Sequence, residues 1–345
     1  MKKALALILA ACCVLSLVAC SAPAEEPAQE PAEQATEATE PETAAEPREL
    51  QRLTLGAAGS GGTFYIWGAG LSSVINSKYP EAYDVSVMAS GGPAQNCELL
   101  HQGECQLGFV TSFVASDYYN GTGIATAECP ELRTLFPMYN SYFHLFALAD
   151  SDVNGISDIN GKALATGTPG SSSQIVGDAI IELFGLTPTS TSPISLSQVM
   201  DNLKDGQVDV GMAVSAYPVS SLVELQATHD FKLIPISDDE HAKLKEYNSG
   251  YGDGVIPAGT YNGQDADYNT LSFWTLCLAT SEMDEQTAYE LTKYTFENLE
   301  DLGAAVGNVS EVVAENVLGS PIPIHPGAAR YYKEIGVNVP DEMIG

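Results

Sequence analysis

Leu53-Thr54-Leu55-Gly56-Ala57-Ala58-Gly59-Ser60-Gly61-Gly62-Thr63-Phe64 carries the pattern from which the architecture follows: a short apolar alternation, a turn of glycine and hydroxyl residues, then the start of a helix. Beyond it Phe64, Trp67, Leu71, Val74 and Ile75 recur at helical spacing and stop before Pro80. The same order returns downstream. A strand through Val85 and Val87 leads to Ser90-Gly91-Gly92-Pro93, where Pro93 suits the first turn of a helix running to Leu100, and after Gly103 the run Leu107 to Val110 is the next strand. In the second half Ala163 to Thr166 reads as a strand, Gly167-Thr168-Pro169-Gly170-Ser171-Ser172-Ser173 as the turn, and Gln174 to Phe184 as an amphipathic helix ended by Gly185. The segment Asn202 to Gly211 repeats the helix, glycine, strand order of Leu99 to Gly108. Strands alternating with helices predict an α/β protein with largely parallel sheets, arranged as two lobes of similar design.

The N-terminus predicts export. Lys2 and Lys3 precede an uninterrupted apolar stretch from Ala4 to Ala19, about 16 residues, which is short of the roughly 20 needed to span a bilayer core. It ends in Leu17-Val18-Ala19-Cys20, so residues 1–19 read as a lipoprotein signal peptide and Cys20 as the lipidated residue of an extracytoplasmic, membrane-anchored protein. Residues 21–47 hold eight glutamates, no basic residue and no aromatic or large aliphatic side chain, so residues 20–48 are expected to be a disordered acidic linker. The formal net charge is −31, and the arginines are Arg48, Arg52, Arg133 and Arg330. Such a balance opposes binding to nucleic acid or to anionic lipid. Cys97, Cys105, Cys129 and Cys277 are irregularly spaced without any CxxC, which argues against a zinc site and leaves the disulfide state open.

The chemistry lies in the turns. A strand-to-helix turn exposes helix N-terminal N–H groups and a partial positive charge, so two facing turns make an anion pocket without a buried arginine. Glycine permits close approach of backbone to ligand, and Thr63, Ser90, Ser171, Ser172 and Ser173 offer hydroxyl donors. Helix capping is the competing use of such residues. Enzyme signatures are missing: Phe64 stands where the third glycine of a dinucleotide fingerprint would fall, and no Gly-x-Ser-x-Gly elbow or paired histidines occur. Asp265-Ala266-Asp267-Tyr268-Asn269 begins like a calcium loop but has Thr270 and Leu276 where glycine and glutamate belong. No catalytic residue, metal site or cofactor is therefore assigned.

Five motifs in order resemble the TAXI family of TRAP transporter solute receptors: Gly59-Ser60-Gly61-Gly62-Thr63-Phe64-Tyr65, Ser90-Gly91-Gly92 with Asn96, Thr168-Pro169-Gly170-Ser171, Ile256-Pro257-Ala258-Gly259-Thr260-Tyr261, and Ile324-His325-Pro326-Gly327-Ala328-Ala329-Arg330-Tyr331-Tyr332. The resemblance spans roughly Leu53 to Gly336. It implies a two-lobed periplasmic-binding-protein-like fold of type II, with a small carboxylate such as glutamate or 2-oxoglutarate held between the lobes. It also implies delivery to a sodium-coupled TRAP membrane component with fused small and large subunits. A lipid-anchored ligand sensor, an ABC-type substrate-binding protein and a surface hydrolase are the alternatives.

Carried over by position, the ligand-binding residues are Gly61, Gly62, Thr63, Phe64 and Tyr65 on one wall, Ser90, Gly91, Gly92 and Asn96 on a second, Pro169, Gly170, Ser171, Ser172 and Ser173 on the opposite wall, and Thr111 with Ser112. Where many relatives have Gln-Ser-Asp this chain has Thr111-Ser112-Phe113, which removes a carboxylate suited to an ammonium group. Tyr217, at a strand end, is a further candidate. Trp67 falls on the helix stripe and reads as core, and His325 as a local hydrogen-bonder. The expected division is residues 49–140 for the first part of lobe I, 141–268 for lobe II and 269–345 for the return crossover and the rest of lobe I. Hinges are placed near residues 139–149 and 268–279, and a monomer is expected.

Overall fold

The structure, a computed structural model, describes residues 49–60, 62–248 and 250–345. The signal peptide, Cys20, the acidic linker, Arg48 and Gly61 lie outside the described residues. In chain order the first elements are strand β1 (Gln51–Gly56), helix α1 (Thr63–Lys78), β2 (Tyr83–Met88), α2 (Pro93–His101), β3 (Leu107–Thr111) and α3 (Ser112–Asn120). Next come β4 (Leu132–Leu148), β5 (Ala163–Ala165), α4 (Ser172–Leu183), β6 (Ser190–Ser192), α5 (Leu196–Lys204), β7 (Val210–Ser215) and α6 (Ser220–Gln226). The last are β8 (Phe231–Leu233), α7 (Asp238–Tyr247), β9 (Gly252–Ile256), β10 (Tyr268–Thr280), α8 (Glu285–Glu297), α9 (Leu299–Ala305) and α10 (Pro326–Glu334).

The strands pair in the order β2-β1-β3-β10-β4-β7-β5-β6, with β8 added to β4 and β9 to β10. Within the first lobe β1 runs parallel to β2 and β3, and within the second β5 runs parallel to β6 and β7. The two long antiparallel strands β4 and β10 join them. The first half of β4 pairs with β10 and its second half with β7 and β8, while β10 meets β9 at its start and β3 toward its end. Register shifts between Trp274 and Leu276 and between Cys277 and Leu278 place irregularities where these crossing strands pair, and bulges bend strands. The segments expected to act as hinges are thus strands themselves, and the 140/141 boundary falls inside β4 while 268/269 falls at the start of β10.

The inner strand β3 is apolar because both of its faces are covered. β3 (LGFVT) is buried at every position, and Leu55, Phe109 and Cys277 are fully buried in one core with Trp67, Tyr139 and Tyr332. Each such side chain withdrawn from water contributes about 1.5–3 kcal/mol. Phe146, Val199, Leu203 and Leu222 build a core in the second lobe, and Val110, Phe113, Phe143, Leu164 and Met212 belong to one that reaches into both lobes. Cys97, Cys105, Cys129 and Cys277 are free, buried thiols. The C-terminal motif is architectural. His325 caps α10 by accepting from the Gly327 N–H at 3.2 Å and contacts the Met283 carbonyl oxygen at 3.0 Å. A Cβ on Gly327 would stand 2.1 Å from the Glu285 carbonyl oxygen, so glycine is what lets α10 lie on α8. Among the described residues no helix is long and apolar enough to cross a membrane.

Candidate functional site

A cleft of about 420 Å³ lies between the two lobes, lined by the segments that leave β1 and β3 on one side and β5 and β7 on the other. Its chemistry follows from how these strand ends continue. Residues at the N-termini of α1, α2, α3, α4 and α5, each nine residues or longer, all border the cleft, and the short α6 adds Val219, Ser220 and Ser221. The first N–H groups of a helix have no partner within it. Ser171 caps α4 by accepting from the Gln174 N–H at 3.2 Å, and Ser195 caps α5 in a reciprocal box with Gln198. On the opposite wall α1, α2 and α3 have N-caps Gly62, Gly92 and Thr111, none of which makes a side-chain capping bond. The positive ends of three helices therefore face the cleft without side-chain acceptors of their own.

No described residue lining the cleft carries a formal charge, although the chain as a whole has −31. Serine and threonine hydroxyls stand in their place, among them Ser60, Thr63, Thr111, Ser141, Ser172 and Ser197. The described arginines lie elsewhere. Arg133 donates through Nη1 to the carbonyl oxygens of Pro130 at 2.7 Å and Leu132 at 2.8 Å, and Arg330 lies over the Tyr289 ring and donates to Gln286 at 2.6 Å. Arg52 faces Asp84 on the surface.

The lobes meet across this cleft. Thr63 Oγ1 and Ser215 Oγ lie 3.1 Å apart, Thr111 Oγ1 and Ser172 Oγ are also 3.1 Å apart, and the Ala94 N–H points at the Gly170 carbonyl oxygen at 3.5 Å. Glycine is required on this seam: Gly92 has φ +115°, a region that side chains disfavour, and its missing Cβ would stand 3.4 Å from Ser171 Cα. Ser173 Oγ accepts from the Val214 N–H at 2.8 Å, which ties the start of α4 to β7.

Of the residues proposed from sequence, Gly62, Thr63, Phe64, Gly91, Gly92, Thr111, Ser171, Ser172 and Ser173 border the cleft. Tyr65, Ser90, Asn96, Ser112, Pro169, Gly170 and Tyr217 are not among its lining residues. Ser90 and Asn96 stand behind the wall. Ser90 Oγ contacts Asn96 Oδ1 at 2.7 Å and accepts from the Gly92 N–H at 3.1 Å, while Asn96 Nδ2 donates to the carbonyl oxygens of Ala57 at 2.7 Å and Phe109 at 2.8 Å. Their polar atoms tie the turns after β1 and β2 to each other and to β3. Pro169 and Gly170 form the seam with the opposite lobe, and Tyr217 packs edge-on against Tyr142 with ring centroids 4.7 Å apart. Phe113 is buried between Tyr251 and Phe273, so the position at which the sequence resemblance led to the expectation of a carboxylate belongs to the core.

Sequence reading missed the wall made by Ser195, Leu196 and Ser197, although Ser195 and Gln198 spell a capping box that marks a helix start. It also missed Gly307 and Asn308, which arrive from the C-terminal return segment and carry no local signal. Trp67 has two roles: it is 1% exposed and packed in the core, yet it borders the cleft together with Tyr139.

The model of the NMT1-like family matches residues 55–336. The chain belongs to the NMT1-like family. Among solved structures, XAC2383 from Xanthomonas citri bound to ATP superposes with a TM-score of 0.50 at 11% identity, covering 82% of this chain and 99% of that one. The periplasmic aliphatic sulphonate binding protein SsuA from Escherichia coli gives 0.40 at 17% identity, covering 85% and 88%. A structure from glutathione import through GshT and the cystine ABC importer TcyBC of Streptococcus mutans gives 0.48 at 12%, covering 76% and 97%. The fold is the two-lobed, type II periplasmic-binding-protein-like fold, as the sequence resemblance implied.

Among the described residues of this NMT1-like chain one group of metal-ligating types comes together away from the cleft: His101, Cys129 and Glu131 have ligand atoms within 4.8 Å of one another. His101 Nδ1 and Glu131 Oε1 form a 2.7 Å pair. Burial, with the nearby carboxylates Glu131 and Glu98, pushes the Cys129 thiol up to about 11, so at neutral pH it is a protonated thiol and a poor ligand.

Proposed function

We propose that this protein is an extracytoplasmic solute receptor that holds a small carboxylate between its lobes and delivers it to a sodium-coupled TRAP transporter membrane component. The observation that carries the reading is the convergence of α1, α2 and α3, with N-caps that make no side-chain capping bond, on a cleft free of formal charge. In such a cleft the ligand's carboxylate takes backbone N–H groups and hydroxyls as its partners, as at other helix N-termini that bind anions. Thr63, Ser171, Ser172 and Thr111 are the hydroxyls placed to share it. The ligand lies in the cleft and the lobes close on it by bending at β4 and β10.

Because no carboxylate among the described residues lines the cleft, an ammonium group would be desolvated there without a counter-charge. The preferred ligand is therefore an organic acid such as 2-oxoglutarate rather than glutamate. The anchor is Cys20, at the end of Leu17-Val18-Ala19-Cys20, and the protein acts as a monomer. Calorimetry of the soluble body with butyrate, succinate, 2-oxoglutarate and glutamate tests the ligand class. Uptake of the bound acid by proteoliposomes bearing the membrane component tests the partner. A sodium gradient should drive it; ATP-dependent uptake would assign the receptor to an ABC importer instead.

A further inference from the structure

Among the described residues three buried side-chain polar atoms have no hydrogen-bond partner: Trp67 Nε1, Tyr139 Oη and Arg133 Nε. The first two belong to residues that touch each other, with ring centroids 5.4 Å apart, and both residues border the cleft. A buried donor without a partner is costly, and native proteins leave few of them. Two such donors, on residues whose rings touch and which both border one cleft, point to a partner that arrives from outside the chain. The indole N–H is a donor only. Burial pushes the Tyr139 phenol above its ordinary range, so it too stays a protonated donor. Thr275 lies beside that phenol without a hydrogen bond of proper geometry to it, and its own hydroxyl is 3.3 Å from Ser141 Oγ.

We propose that Trp67 and Tyr139 form a second recognition point of the cleft, at which the indole N–H and the phenol O–H donate to an acceptor oxygen on a second polar head of the ligand. The inference rests on the reading of the cleft as a carboxylate receptor and narrows its substrate class. One head is held by the helix N-termini, the other by this aromatic pair, so the ligand is a dicarboxylate or an oxo or hydroxy acid and not a simple fatty acid. The apolar faces of Trp67, Phe64 and Ile66 suit the hydrocarbon between the heads.

The test compares succinate and 2-oxoglutarate with butyrate by calorimetry on wild type, Trp67→Phe and Tyr139→Phe. Wild type should bind the two-headed acids more tightly than butyrate, and each variant should weaken their binding about 10- to 150-fold. Tyr139→Phe keeps the ring and removes only the orphaned hydroxyl, so its ligand-free melting temperature should stay level or rise. A merely structural tyrosine would lower it. As a readout independent of these variants, Trp67 emission in Trp274→Phe protein should shift on addition of 2-oxoglutarate, since Trp67 is then the single tryptophan of the two in the chain. Equal wild-type affinity for butyrate and succinate, or unchanged affinities in both variants, overturns the second recognition point while leaving the carboxylate receptor standing. Failure of wild type to bind any of these acids overturns the receptor reading and this inference with it.

Discussion

Gly91→Ala separates closure of the lobes from the stability of the chain. Gly91 needs no unusual φ, so alanine is acceptable to its backbone. A Cβ there would stand 2.9 Å from the Pro169 carbonyl oxygen on the opposite lobe and 3.2 Å from Gln95 Oε1. The glutamine amide can swing aside, whereas the Pro169 carbonyl belongs to the turn before α4 and yields only if the lobes separate by a few tenths of an ångström. Overpacking of this kind costs about 1–3 kcal/mol. In an open, ligand-free receptor the contact is absent, so stability should change by no more than about 0.5 kcal/mol, as for an ordinary surface substitution. In the closed, liganded receptor the whole cost appears, and affinity for 2-oxoglutarate should fall about 5- to 150-fold. Urea unfolding of the ligand-free protein and calorimetric titration give the two numbers. The reasoning is refuted if the variant binds as tightly as wild type, or if the loss falls on ligand-free stability with affinity intact, which is the signature of a receptor already closed.

Thr63→Ala removes a hydroxyl from the cleft without touching a helix cap, and calorimetry should show affinity for the bound acid reduced about 10- to 150-fold. Arg133→Ala, by contrast, should cost stability at the start of β4 and leave that affinity unchanged; loss of binding there would end the arginine-free account of the anion site. His144 is fully buried, with Nδ1 2.9 Å from the Tyr142 carbonyl oxygen and Nε2 3.0 Å from the Tyr261 hydroxyl, and desolvation lowers its pKa from 6.5 to about 4. The unfolded chain then binds the proton first, so the stability of the neutral pairing is fully present above pH 6.5 and is lost as pH falls toward 4, about 3 kcal/mol in all. Urea midpoints of wild type and His144→Gln should converge across that window, and parallel curves would contradict it. Cys20→Ala should move the protein from the membrane to the soluble fraction with ligand affinity unchanged, measured by fractionation and titration.

Period and punctuation made much of the fold legible before any coordinates. The alternations around Leu55, Val87 and Leu164, each followed by glycine and hydroxyl residues and then a helical stripe, became β1, β2 and β5 with their helices, and the run Leu107 to Val110 became β3, because short-range sterics and apolar periodicity act within a few residues. The turns Gly62 to Phe64, Gly91 to Gly92 and Ser171 to Ser173 line the cleft for the same local reason: a strand end that turns into a helix must leave N–H groups exposed. Three decisions belong to tertiary structure alone. Ser90 and Asn96 have the same residue types as cleft donors, yet partners from Ala57, Gly92 and Phe109 consume their hydrogen bonds. Asn308 and Ser197 border one cleft from places 111 positions apart in sequence, a convergence fixed by how β4 and β10 carry the chain across and back. Trp67 sits on a stripe that says core, and only the packed molecule shows its indole N–H buried beside the cleft without a partner, since hydrogen-bond satisfaction is a property of the surroundings and not of the residue.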